Sequence, residues 1–310
     1  MLVWLSFLAS AAAFELEVVN HSAAAQRRPD GGAQDRREGG TRNISDMFYW
    51  RESDWTACAR RMPLLSSPDR CINLAPAETG STTVYHRLLT LCHTQHSHQC
   101  RHVVHDHRRR LVHLQKPAEC VLMPLRDPAQ RLESAWRSDV MASDQRVAYI
   151  LNSLRGWPPK RGPNVSLSDF VAAFRDSGHA SHASVQAIYA SSVYQWSTWS
   201  KSRGAPSKGS NFLISQAEYL RGLDCAHTAV HFICNERLDE DWMRLLSTTG
   251  ANASFDMHSR RENRMQGCAE HADCKGSDWR LAGRDAAFVR SSMFFTDDIL
   301  HTTFCIKGIA

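Results

Sequence analysis

The run Cys120-Val121-Leu122-Met123-Pro124-Leu125, followed by Arg126-Asp127-Pro128-Ala129-Gln130-Arg131-Leu132-Glu133-Ser134-Ala135-Trp136-Arg137, decides the fold class. Its first six residues are continuously apolar rather than alternating, the pattern of a strand buried on both faces of a parallel sheet. Pro124 lacks an N–H and so belongs near that strand's end. A helix is expected to follow through Arg131 to Arg137. Arg126 leaves the end of the strand and Ser134 lies on the helix, three residues after Arg131 and so on a neighbouring face.

The same alternation recurs on either side. Upstream, residues 69–75 read as a short strand, residues 76–80 as a loop, and the chain from Thr82 as a helix with Val84, Leu88 and Leu91 on one face. Downstream, residues 229–234 read as a third strand, and a helix follows with Leu238, Trp242 and Leu245 on one face. Strands alternating with helices imply an α/β fold with a parallel sheet. Residues 156–209 are rich in Gly, Pro and Ser. They read as loops with a helix near Phe170, placed to cover an acceptor site. No internal repeat is visible.

Two segments carry chemistry. Thr79-Gly80-Ser81-Thr82-Thr83 sits where a strand hands over to a helix. A helix N-terminus offers unpaired N–H groups and a positive dipole end, which together bind phosphate or sulfate. The plainer role for such hydroxyls is helix capping. The segment lacks the glycine and lysine spacing of a nucleotide-triphosphatase loop. The second segment offers Arg126 and Ser134, a guanidinium and a hydroxyl at the C-terminal edge of a parallel sheet, able to clamp a second phosphate. Its plainer reading has Asp127 capping the helix and the arginines solvated.

Arg126-Asp127-Pro128, with Arg131, Ser134 and Arg137 at three-residue spacing, closely resembles the 3′-phosphate-binding motif of sulfotransferases that use 3′-phosphoadenosine 5′-phosphosulfate (PAPS). Residues 79–83 resemble their 5′-phosphosulfate loop, in the right order and at a plausible distance. Gln216-Ala217-Glu218-Tyr219-Leu220, residues 232–241 and Asp297-Asp298 resemble late features of the Golgi carbohydrate sulfotransferases. The resemblance spans residues 69–304. It implies a three-layer α/β fold with a central parallel sheet, related to nucleotide kinases. It also implies PAPS as co-substrate, with Thr79, Gly80, Ser81, Thr82 and Thr83 on the 5′-phosphosulfate and Arg126 and Ser134 on the 3′-phosphate. The acceptor would be a glycan or glycoprotein. The family usually carries a lysine just before the Thr-Gly pair, where this chain has Glu78. Two unit charges ~4 Å apart cost about 4 kcal/mol at an effective dielectric near 20, so a carboxylate there opposes binding. Either Glu78 points away, or Arg87 or one of Arg108, Arg109 and Arg110 replaces the lysine, or activity has been lost and a glycan- or nucleotide-binding relative remains.

His93, His96, His98, His102, His105, His107 and His113 lie between Cys92 and residue 113, with Cys100 among them. They form a solvated polar face, a metal site in a secreted His/Cys protein, or the source of a catalytic base. No spacing matches a standard zinc finger, and no metal is assigned. Sulfuryl transfer needs a proton acceptor, and histidine titrates near neutrality. Several carbohydrate sulfotransferases place such a base between their two cofactor motifs. His105 is the candidate base, with His102 and His107 as its rivals.

Residues 1–14 are apolar and end in small residues, as a signal peptide or a short signal anchor does, and are too short to span a bilayer as a full helix. Residues 15–46 read as a flexible stem and residues 47–310 as the folded domain. Ten cysteines and sequons at Asn20, Asn43, Asn164 and Asn252 suit an oxidising, glycosylating compartment. The expected location is the secretory pathway, in the Golgi lumen by resemblance, or outside the cell. Cys225 with Cys234 and Cys268 with Cys274 have suggestive short separations, but spacing does not determine connectivity. The net charge of +5 is too small to argue for nucleic acid and is compatible with an anionic ligand. Membrane contact is expected only through the N-terminal segment.

Overall fold

A computed structural model of the chain describes residues 50–63, 71–76, 78–96, 100, 103–107, 110–114, 118–136, 166–183, 185–186, 189, 213–249 and 280–308. The leader, the stem, the four sequons, most of residues 156–209, His98, His102, Arg108, Arg109, Cys268 and Cys274 lie outside them. In chain order the main elements are α1 (Glu52–Ala59), β1 (Ile72–Asn73), α2 (Ser81–His96), β2 (Cys120–Leu125), α3 (Pro128–Ala135), α4 (Leu167–Arg175), β3 (Ala229–Cys234), α5 (Leu238–Thr249), α6 (Gly283–Phe288) and α7 (Phe295–His301).

The described residues form a mixed α/β fold with a small parallel sheet of three strands in the order β1-β2-β3. β2 and β3 pair along their full length, from Cys120 opposite Ala229 to Leu125 opposite Cys234. β1 is shorter than its sequence suggests. Only Ile72 and Asn73 pair, opposite Val121 and Leu122, and Leu74 N–H adds one bond to Leu122 O at 2.9 Å. Two residues later comes Pro76, with no N–H to continue the ladder. That early exit explains how β2 tolerates Pro124 in the middle of a sheet. Leu122 bonds toward β1, and the pleat returns Pro124 to the same side, where β1 has already ended.

The central strand is buried on both faces, as its uninterrupted apolar run predicts. Leu122 and Ile233 pack with Val84, Leu88 and Leu91 of α2 and Trp242 and Leu245 of α5. Val121, Met123 and Leu125 pack on the other face with Trp55 of α1, Leu300 of α7 and Phe304. A further cluster joins Leu132 and Trp136 to Phe170 and Val171 of α4 and to Val289 and Phe294. Among the described residues no helix is long and apolar enough to cross a membrane.

Among the described residues four disulfides join Cys58 to Cys225, Cys71 to Cys120, Cys92 to Cys100 and Cys234 to Cys305, which fits a secreted or luminal protein. The short separation of Cys225 and Cys234 misleads. β3 lies between them, and its six residues at about 3.3 Å each carry their Cα atoms far beyond the roughly 7 Å a disulfide tolerates. Each cysteine instead meets a partner distant in sequence, at Cα separations of 5.2 Å and 5.5 Å. Cys71 precedes β1 and faces Cys120 at the start of β2, so that bridge ties the two strands at one end.

Candidate functional site

The loop from β1 into α2 reverses direction within a few residues. Glu78 (φ 62°) and Gly80 (φ 80°) both occupy the left-handed region, which strongly favours glycine. Thr79 is buried and its Oγ1 donates to Pro76 O at 2.7 Å, so any contribution from Thr79 to a ligand is a main-chain one. A Cβ on Gly80 would lie 2.5 Å from Asn235 Oδ1 and 3.2 Å from Leu238 Cδ1. α2 then begins at Ser81, one residue earlier than the sequence suggests. Its first helical bond runs from Val84 N–H to Gly80 O at 3.2 Å. The N–H groups of Ser81, Thr82 and Thr83 precede it and form the donor end of a 16-residue helix. Gly80→Ala is expected to add about 1–3 kcal/mol of backbone strain and to displace Asn235. A melting temperature lowered by several degrees in a thermal unfolding scan checks this; an unchanged one contradicts it.

Arg126 emerges from β2 held on both sides of its backbone. Its N–H donates to Gln216 Oε1 at 3.0 Å, and Gln216 Nε2 donates back to its carbonyl at 2.9 Å. This two-way clasp directs the side chain toward the loop, where Nη1 donates to Glu78 O at 3.2 Å. Ser134, on α3, donates its hydroxyl to Glu78 Oε2 at 3.0 Å. The two segments singled out by sequence therefore meet, and Glu78 joins them through its carbonyl and its carboxylate.

Asp127 is the N-cap of α3, accepting from Gln130 N–H at 2.9 Å. It also takes two bonds from Arg290, at 2.6 and 3.2 Å. The capping role expected of it thus holds, but Arg126 is partly buried and Arg131 is buried, while Arg137 lies outside the described residues. Arg131 is 1% exposed. It donates to Ile214 O at 2.7 Å, lies 3.5 Å from Asp297 and sits over the Phe294 ring. It braces the core, while Ser134 faces the loop.

His105 closes the site from the segment between the two motifs. Its Nε2 lies 3.2 Å from Ser81 Oγ, its ring stacks on Tyr85, and His107 meets it edge-on. His107 is fixed elsewhere, with Nδ1 2.7 Å from Ala75 O. Burial, then the neighbouring His107 and His86, push the His105 pKa down to about 4, with Asp106 opposing. The ring is therefore neutral at pH 7. It accepts from the Ser81 hydroxyl only as the tautomer protonated on Nδ1. Cys92 and Cys100 are bonded to each other, so neither thiolate is left for a metal.

The structure bears on two of the proposed accounts of Glu78. Its carboxylate is turned toward Ser134. Arg87 and Arg110 have partners elsewhere, and Arg108 and Arg109 lie outside the described residues. Arg87 pairs with Asp239, donates to Leu238 O at 3.4 Å and lies over Trp242, and Arg110 is buried beside Glu218 at 3.4 Å. Among the described residues, Arg126 is a cation that reaches the loop, at the Glu78 carbonyl.

No protein-family model, no curated protein and no solved structure matches this chain.

Several supporting residues carry no assigned role from sequence. Glu236, just past β3, accepts the Asp127 N–H at 3.1 Å and lies 3.3 Å from His301 Nε2. Asp297 accepts from Ser215 Oγ at 2.5 Å, Gln216 N–H at 2.8 Å and Ala217 N–H at 3.0 Å. Gln216, Glu236 and Asp297 stand in segments singled out by the family resemblance, without roles of their own. Nothing in the sequence marks Arg290 or His301.

Proposed function

We propose that the chain is a sulfotransferase of the secretory pathway, moving the sulfuryl group of PAPS to a carbohydrate hydroxyl. One observation carries this reading. Three segments far apart in sequence, around Glu78 to Ser81, His105 and Arg126 to Ser134, converge at one edge of a parallel sheet through the Ser81–His105, Arg126–Glu78 and Ser134–Glu78 contacts. Their chemistry is that of an anion site with a neutral base beside it. The resemblance to PAPS-dependent enzymes supplies the substrate, the three-layer kinase-like fold and the Golgi address.

PAPS supplies the sulfuryl group, and adenosine 3′,5′-bisphosphate departs as its S–O bond breaks. The main-chain donors of Ser81, Thr82 and Thr83 hold the 5′-phosphosulfate and stabilise charge growing on the leaving oxygen. Arg126 and Ser134 hold the 3′-phosphate. His105 Nε2 takes the proton of the acceptor hydroxyl as the new O–S bond forms. No metal is needed for these roles.

Incubating the protein with labelled PAPS and a panel of polysaccharides tests the reading. Label transferred to a glycan supports it; absence of both transfer and nucleotide binding in folded protein removes it. Nucleotide binding without transfer favours a non-catalytic relative, a reading motivated by the Glu78 carboxylate within the site. Arg126→Ala is expected to weaken adenosine 3′,5′-bisphosphate binding by about 10–100-fold, as hydrogen bonds to charged groups contribute about 1.5–3 kcal/mol. Isothermal titration measures this, and unchanged affinity would remove Arg126 from the site.

A further inference from the structure

Glu78 puts a carboxylate, the group least suited to an anion site, at the loop, and its backbone and side chain are both held. The backbone is left-handed at φ 62°, and the next side chain is tied inward from Thr79 to Pro76 O. The Glu78 carbonyl accepts from Arg126 and its carboxylate from Ser134, at 3.2 and 3.0 Å. Arg126 and Ser134 are the two side chains that suit a phosphate at this edge. An anion of the chain itself lies on the serine. The Ser134 hydroxyl has a single hydrogen to donate, so it cannot serve the carboxylate and a phosphate oxygen together, and the two anions repel at close range.

We propose that Glu78 is a built-in counter-anion competing with the nucleotide's 3′-phosphate for Ser134, so that the phosphate is seated only as the carboxylate leaves. Glu78 thereby determines how strongly the site distinguishes nucleotides that carry a 3′-phosphate from those with a free 3′-hydroxyl. A 3′-hydroxyl imposes no second negative charge and can donate to the carboxylate, so it escapes the competition. This inference rests on the nucleotide reading of the site.

The test compares adenosine 3′,5′-bisphosphate with adenosine 5′-monophosphate, by isothermal titration, on the intact chain and on Glu78→Gln and Glu78→Ala. Removing the charge is expected to tighten the bisphosphate by about tenfold or more and the monophosphate by about threefold at most, so the ratio of the two affinities rises. Glu78→Gln is nearly isosteric and guards against a folding defect in Glu78→Ala. Adding Ser134→Ala should shrink the gain from Glu78→Gln, because the contested hydroxyl is then gone. Equal gains for both nucleotides, no gain, or weaker bisphosphate binding in folded Glu78→Gln would overturn the inference while leaving the nucleotide site standing. Absence of binding by either nucleotide to any of the proteins would overturn the nucleotide reading, and the inference with it.

Discussion

Asp297→Ala is expected to cost about 3–5 kcal/mol of folding free energy, the loss typical when one partner of a buried ion pair is removed. Asp297 is fully buried. It faces the Arg131 guanidinium at 3.5 Å and takes the Ser215 hydroxyl and the N–H groups of Gln216 and Ala217. Alanine removes the carboxylate that faces the buried Arg131 guanidinium and takes an acceptor from the Ser215 hydroxyl and the Gln216 N–H, while the Ala217 N–H keeps Ser215 Oγ at 3.2 Å. Arg131 retains only the Ile214 carbonyl and the Phe294 face among these contacts. Against a total stability of about 5–15 kcal/mol for an ordinary domain, this is a large fraction. Denaturant titration should show a much lower midpoint with little change in slope. Asp297→Asn keeps an acceptor oxygen and should lose less. Nucleotide affinity should fall as well, because Asp297 anchors the turn from which Gln216 clasps the Arg126 backbone. A midpoint within experimental error of the unaltered protein would show that the ion pair is not the brace described.

That brace also shows where sequence reading succeeds and where it stops. β2 and β3 are legible to the residue. β2 is so because a continuous apolar run has one stable environment, the middle of a covered sheet. β3, the outer strand of the described sheet with Val230, His231 and Phe232 only partly buried, is so because it follows the same strand-then-helix alternation. The loop before α2 is legible as a turn that hands a strand over to a helix N-terminus, because Gly80 and the hydroxyl residues around it are local features. Glu78 is legible as an anomaly of charge, but not its direction. That depends on a left-handed backbone and on where Arg126 and Ser134, 48 and 56 residues away, come to rest. Arg131 reads as solvated when only helix spacing is considered. Its burial follows from Asp297 and Phe294, which the chain brings in from its far end. The disulfides fail for the same reason. Cys225 and Cys234 are near in sequence and held apart by the strand between them, while Cys58 and Cys225 are 167 residues apart and bonded. Contacts within one turn of helix or one strand are written locally; contacts between the ends of elements depend on the assembled fold.

Replacing His105 tests the chemistry rather than the scaffold. On the proposed sulfotransferase reading, His105→Ala is expected to lower the rate of sulfuryl transfer by about 10²–10⁴-fold, the usual contribution of a positioned general base. Affinity for adenosine 3′,5′-bisphosphate should change far less, since the phosphate donors lie on other segments. His105→Gln separates two roles. A glutamine can still hydrogen-bond to Ser81, but it cannot take a proton at neutral pH, so it should be nearly as impaired as alanine. Recovery of activity in the glutamine variant would make His105 a positioning residue for Ser81 and deny it the proton. The pH profile gives an independent readout. A base must be unprotonated to act, and burial with neighbouring His107 and His86 lowers the His105 pKa from 6.5 to about 4. Activity should therefore persist as pH falls through 6 and decline only near 4, with circular dichroism confirming that the protein stays folded. An acid limb of kcat/KM at about 6.5 would point instead to an unperturbed histidine, and His105, enclosed by Tyr85, His107 and Ser81, would no longer be the base.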